Sequence, residues 1–404
     1  MSAPTVVTGL SVMAANGLGT DDFWSATCQG VSGIGPVQRF DTSQYPASLA
    51  GEVRGFDAAE LLPGRLIPQT DRMTQLALVA AERAVEEAGV DLESVPPYER
   101  GVVTATVTGG YEFGQRELES LWSKGSDHVS VYQSFAWFYA VNTGQIGIRH
   151  NLRGPSSALV SGDASGLDLV AQARRNIRKG ARLMVTGAVD GSLCPWGWVS
   201  HLTGPGIARA DDPARGYRPF HAEADGHVPG EGGAILIVED GDVAQARGAR
   251  IYGVIAGYAA TFDPPPRLGR PSNLRRAIVR AIADAGLRSS DIDVVFADAA
   301  GRPEPDRDEA TAIRGIFGAN RVPVTAPKTM TGRLGAGSGA IDLAAALLAL
   351  RDGVIPPTVN VDQLAPGLEI DLVTEARPAE LRNALVLSRG YGGFNSAMVV
   401  RHRL

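Results

Sequence analysis

The chain has 404 residues, 44% of them hydrophobic and 20% charged, with a formal net charge of -6. A single core usually stops growing near about 250–300 residues, so two domains or two fused halves are expected. The charge is mild and no basic block tracks a phosphate backbone, so nucleic acid is not expected; two distant cysteines, Cys28 and Cys194, form no disulfide framework, which makes the cytoplasm the default compartment.

The opening stretch, MSAPTVVTGLSVMAANGLG, has neither a basic leader nor an unbroken apolar run of about 20 residues, so no signal peptide and no membrane span is expected. Apolar residues at helical spacing over 76–91 predict a helix that stops at Ala-Gly. A strand is expected over 100–107, then a helix from Tyr111 to Trp122. The aromatic-rich YQSFAWFYAVN (132–142) is short for a membrane anchor and reads as buried dimer contact. A strand over 157–162 breaks into Gly162-Asp163-Ala164-Ser165-Gly166 and enters a helix over 165–180. Strands follow at 181–189 and 233–239, separated by CPWGWVS (194–200), which reads as a packed loop near an interface.

The first half is expected to end near Gly241, giving 1–241, and the second to run over 249–404. Its strand candidates are RIYGVIAGYAA, DIDVVFADA, RVPVTA, NALVLSRG and NSAMVVRHR, with helices over 276–291 and 338–353 and a proline-rich surface loop, FDPPPRLGRPS. Aligning Gly89 with Gly286 matches Ala88 to Ala285, Val85 to Ile282 and Arg83 to Arg280. The helices over 165–180 and 338–353 both open on Ser-Gly and close on a charge and Gly. Two such matches in the same order point to a duplicated α/β unit, with mixed or parallel sheets covered by helices.

A sharp strand-to-helix turn is the usual seat of a covalent nucleophile, yet the residue at this one is Asp163. One reading is an N-terminal cap or first-turn acid, since the helix that follows leaves amide donors unsatisfied. His221 and His227 flank Glu223 and Asp225, but their spacing matches no standard zinc motif. GRLGAGSG lacks the Gly-Lys-Ser/Thr ending of a phosphate loop. No metal and no cofactor is expected.

Four blocks, in order, resemble the thiolase-fold condensing enzymes of the beta-ketoacyl synthase family: LVSGDASGLD, RPFHAEADGHVPGEGGAILIVED, APKTMTGRLGAGSG and SRGYGGFNSAMVV. The resemblance spans nearly the whole chain and implies two duplicated α/β halves in a layered α-β-α-β-α core. Carried over residue by residue, the nucleophilic Cys falls on Asp163, the first catalytic His on Asp298 and the second on Arg333, with Lys328 retained. Condensation needs a thiolate and imidazoles that support decarboxylation and a developing enolate. Asp298 puts negative charge where negative charge must develop, and Arg333 stays protonated, so it is no general base. No residue is expected to be catalytic.

A scaffold without its catalytic residues resembles one branch, the chain length factor (ketosynthase beta subunit) of type II aromatic polyketide synthases. FADAAGRPEPDRDEA and GGYEFGQRELESLW carry that likeness. The branch commonly has Gln at the elbow, so Asp163 is a departure. The resemblance implies pairing with a ketosynthase alpha subunit, and an acyl carrier protein that brings malonyl units and the growing polyketide. It also implies that Tyr111, Gly114 and Leu118, at i, i+3 and i+7 on one helix face, line the shared tunnel and limit chain length. Without the resemblance the stripe reads as core or dimer interface. Two other functions stay open: an autonomous decarboxylase or acyltransferase using Asp163 and Arg333, and a purely structural homologue.

Overall fold

The computed structural model describes residues 3–402 apart from Pro205; Met1 and Ser2, in the opening stretch, and Arg403, in the last predicted strand, lie outside the described residues. Five strands of the first half, β1 (Thr5–Ala14), β2 (Arg100–Ala105), β3 (Ser156–Ala158), β4 (Leu183–Asp190) and β5 (Gly232–Asp240), lie in the order β1-β5-β4-β2-β3. Five strands of the second, β6 (Gly253–Phe262), β7 (Val294–Phe296), β8 (Pro323–Thr325), β9 (Asn383–Gly390) and β10 (Phe394–Arg401), lie in the order β6-β10-β9-β7-β8. The plan is the same twice. β5 runs antiparallel to β1 and β4, and β2 parallel to β4 and β3. β10 runs antiparallel to β6 and β9, and β7 parallel to β9 and β8. The halves join where β1 meets β6, Val6 opposite Val254 and Val7 opposite Gly253.

The helices include α1 (Arg72–Ala88), α2 (Tyr111–Lys124), α3 (Val141–Arg149), α4 (Ser165–Arg178), α5 (Pro195–Thr203), α6 (Leu274–Asp284), α7 (Pro303–Phe317) and α8 (Gly337–Asp352). α4 and α8 lie between the two half-sheets, α1 covers the outer face of the first and α6 that of the second. Strand β5 shows why its run AILIV is unbroken: Leu236 and Val238 face the central helices while Ile235 and Ile237 face α1. A strand apolar on both faces has no alternation to read. For the same reason β1 was not among the expected strands: it is buried throughout and sits at the junction of the halves.

Matched glycines seat the matched helices. A Cβ on Gly9 of β1 would lie 2.3 Å from the Ala84 carbonyl oxygen of α1, and one on Gly257 of β6 would lie 2.2 Å from that of Ala281 in α6. The next helical turn brings Ala88 and Ala285 onto the same two glycines, the pair that the repeat alignment matched. At the centre, a Cβ on Gly339 of α8 would come within 3.2 Å of the Gly166 Cα in α4. The Ser-Gly openings of the two helices are therefore a crossing point.

Two expected elements need correction. The strand placed over 157–162 is regular only at Ser156–Ala158: the Leu159 amide adds one long bond to the Thr104 carbonyl, at 3.4 Å, and the Ser161 amide then turns to the Ser165 hydroxyl, at 2.7 Å. CPWGWVS is not a loop but the start of α5, with Pro195 in the first turn, where its missing N–H costs nothing. Among the described residues no helix is long and apolar enough to cross a membrane.

Candidate functional site

The elbow closes on Gly162, whose φ of +62° is the left-handed region that favours glycine, and a Cβ there would lie 3.0 Å from the Gly390 Cα at the end of β9. This pins Asp163 of the first half against the second half, and the Ser388 hydroxyl donates to the Asp163 carbonyl at 2.9 Å. The capping reading of Asp163 is overturned: Ala164 holds the N-cap position of α4, and no side chain caps there. The Asp163 carboxylate instead accepts from Arg333, Nε at 2.8 Å and Nη2 at 2.6 Å.

Arg333 is held from its other side by Asp298. Its Nη2 lies 3.1 Å from Asp298 Oδ1, and its Nη1 donates to Asp298 Oδ2 at 3.3 Å and to the Asp298 carbonyl at 3.0 Å. Nη2 also reaches the Arg389 carbonyl at 3.3 Å. Lys328, fully buried, donates to the Asp298 carbonyl at 3.0 Å and pairs with Asp342 of α8 at 2.6 Å. Behind Asp298, the amides of Asp298 and Ala299 donate to Glu309 at 2.7 and 2.8 Å. The four positions carried over from the resemblance thus converge on one cluster.

The charges sort by neighbour. Burial opposes ionisation of Asp298 most, but Arg333 and Lys328 together hold its carboxyl below the usual carboxylate range. Burial wins at Asp163, whose carboxyl stays above that range despite Arg333, with Asp298 adding repulsion. Burial raises Asp342 to about 6 against the pull of Lys328, and raises Glu309, where Asp298 adds to the effect. Arg333 is pushed well above its ordinary value by Asp298 and Asp163, in spite of burial.

A guanidinium bonded through Nε, Nη1 and Nη2 has its donor directions committed, so it offers little to a developing oxyanion. Neither cysteine is at the turn: Cys28 closes the helix Thr20–Cys28 and Cys194 caps α5, and burial pushes both thiols up to about 11. The histidines singled out in sequence also do other work. His221 Nε2 lies 2.9 Å from Asp362 and its Nδ1 accepts from the Glu223 amide, while the Glu223 carboxylate pairs with Arg215 and Arg218. Burial holds His227 well below its ordinary value.

The expected helix at Tyr111 is α2. Its stripe is not bare. The Tyr111 ring lies 4.7 Å from that of Trp196 on α5, and its hydroxyl is 3.4 Å from that of Ser200. Gly114 is buried beneath the same indole, and a Cβ there would come within 3.0 Å of Trp196 Cζ3. Leu118 is 38% exposed and Trp122, one turn further, is 83% exposed. In the aromatic segment before α3, Trp137, Phe138 and Tyr139 are exposed on this chain, so they are not buried by the chain itself. Trp196 was missed as a wall residue because nothing in CPWGWVS shows that Trp198 goes to the core while Trp196 lies half-exposed over α2. Asp342 left a clearer sign, as the single acid in the apolar run GAIDLAAALLAL, since a buried carboxylate needs a cation.

Residues 2–244 match the beta-ketoacyl synthase N-terminal domain and residues 252–362 the C-terminal domain, so the chain belongs to the beta-ketoacyl synthase family. Over 99% of its length it is 56% identical to the tetracenomycin polyketide synthase ketoacyl synthase beta subunit of Streptomyces glaucescens, of which 98% is covered. Among solved structures it is similar to the ishigamide ketosynthase/chain length factor, with a TM-score of 0.89 and 26% identity over 99% of each chain. It is also similar to a type II polyketide synthase acyl-carrier protein in complex with its ketosynthase bound to the hexaketide (TM-score 0.88, 27% identity, 99% of this chain and 100% of that one). Within the family it falls in the ketosynthase beta, or chain length factor, branch.

Proposed function

We propose that the chain is the non-catalytic ketosynthase-like subunit of a type II aromatic polyketide synthase. It pairs in the cytoplasm with a ketosynthase alpha subunit, which supplies the thiolate and histidines, and an acyl carrier protein delivers extender units to the pair. The helix α2 stripe of Tyr111, Gly114 and Leu118 faces the shared tunnel and limits the length of the product. One observation carries the reading. At the positions of the nucleophile and both imidazoles stands a closed ion cluster, Asp163–Arg333–Asp298, at distances of 2.6 to 3.3 Å. The autonomous decarboxylase loses ground on the same geometry, because the arginine it would use as an oxyanion donor is already bonded on both sides.

The test is reconstitution with an alpha subunit and a malonyl-loaded carrier protein. We expect a 1:1 complex by size-exclusion chromatography with light scattering, and polyketide formed only by the complex. Intact-mass analysis of this chain alone should show no acyl adduct. A stable acyl-enzyme on this chain, or a monomer that ignores the alpha subunit, would overturn the proposal.

A further inference from the structure

Helix α2 begins on Gly110, which has no side chain with which to cap it. The first amides of any helix lack an intrahelical acceptor and must find one elsewhere. The Phe113 amide finds the carboxylate of Asp71, at 2.7 Å, although the two residues are far apart in sequence. The other oxygen of Asp71 accepts from the Met73 amide at 2.9 Å and so caps α1. One buried carboxylate therefore caps two helices, the one beneath the first half-sheet and the one that carries Tyr111 and Gly114. Asp71 is 2% exposed.

A second buried carboxylate holds the turn that leads into the same helix. Asp190, at the end of β4 and 1% exposed, accepts from the Val107 amide and the Thr108 hydroxyl, both at 2.6 Å. It also accepts from the amides of Ala336 and Gly191, each at 3.1 Å. Ala336 follows Arg333 by three residues and begins α8, so Asp190 ties the start of α2 to the loop of the ion cluster. Between these anchors the turn has almost no freedom: a Cβ on Gly109 or Gly110 would lie 2.3 Å from the carbonyl oxygens of Trp137 or Ala136.

We infer that Asp71 and Asp190 are positioning residues for chain-length selection: they fix where α2 begins, and through it the placement of Tyr111 and Gly114, without touching the product or the partner subunit. The inference rests on the function proposed above. A wall left loose by about 1 Å selects poorly even when every lining residue is present. Releasing either carboxylate should blur product length, with assembly left intact.

The experiment uses the reconstituted complex carrying Asp71→Asn, Asp190→Asn or, as a control on the underlying reading, Tyr111→Ala. Complex formation, total product, product length by mass spectrometry and amide hydrogen exchange are read together. For either Asp variant we expect total product within about threefold of wild type, with the share at the wild-type length falling to about half. Faster exchange should be confined to 107–114. An unchanged length distribution in both Asp variants, with Tyr111→Ala shifting it, overturns this inference alone. An unchanged distribution in all three overturns the tunnel reading and the inference with it. If neither Asp variant assembles, the wild-type complex decides: slow exchange at the Val107 and Phe113 amides sustains the anchors, and exchange as fast as at free helix ends rejects them.

Discussion

Arg333 is the residue on which the site's charge balance turns. It is 7% exposed and is the cation shared by two carboxylates, Asp163 and Asp298, from different halves of the chain. Removing one partner of a buried ion pair costs about 3–5 kcal/mol, because the remaining charge is left unpaired in a poorly solvated place. Arg333→Met should therefore destabilise the chain by at least about 3 kcal/mol, read as a lower unfolding midpoint of the reconstituted complex in urea. Asp163→Asn keeps an acceptor for Arg333 and leaves Asp298 to balance it, so its cost should stay below about 1.5 kcal/mol. Equal midpoints for Arg333→Met and wild type would show that the cluster does not hold the halves together.

At the scale of elements, α2 and α5 form one wall. Glycine in a helix costs roughly 1 kcal/mol relative to alanine, and at position 114 the reason for it is the indole of Trp196, 3.0 Å from where a Cβ would lie. Gly114→Phe must displace that indole or strain the helix by roughly 1–3 kcal/mol. Trp196 is 41% exposed, so among the described residues its outer edge faces no side chain that would block an outward shift of the ring. On the tunnel reading the added ring shortens the polyketide while condensation continues in the alpha subunit. Mass-spectrometric product profiles of wild-type and Gly114→Phe complexes check this, and lower yield at unchanged length would leave Gly114 as a packing residue. Much of this element was legible in sequence, since α2, the two helix repeats and the elbow all leave local patterns. What covers α2 was not, because the contact joins Gly114 to Trp196 across residues whose order carries no spacing rule. Asp71 and Asp190 were illegible for the same reason. A long-range cap looks in sequence like any other aspartate.

The whole molecule carries several buried carboxylates that resist ionisation and several histidines that burial keeps from protonation, and the two pull its response to pH in opposite directions. Burial raises Asp71 and Asp342 to about 6 and Asp306 to about 7, from an ordinary value of 3.8. Between these values the three carboxyls bind more protons in the folded chain than in the unfolded one, so their share of the stability falls as pH rises through that window. Asp298, Asp284 and Asp352 are shifted downward and act only at lower pH, where protonating them costs stability. His201, lowered to about 4 by burial, and His150 and His227, also held low by burial, act in the opposite sense over the same window, so the carboxylate share is read as a difference between wild type and a variant. Asp306→Asn, which has no charge to acquire, should gain stability relative to wild type as pH rises from about 5.5 to about 8, and a difference between the two proteins that does not change with pH would contradict it.

The shared cation also makes the way back to a working centre depend on the order of change. Replacing Arg333 first strands two negative charges, while replacing both aspartates first strands a positive one. When one aspartate goes first, the other still pairs with the arginine, but either step that follows leaves a single charge alone. Anyone restoring the thiol and imidazoles one at a time therefore does best to begin with an aspartate, and still has to cross one step with a stranded charge.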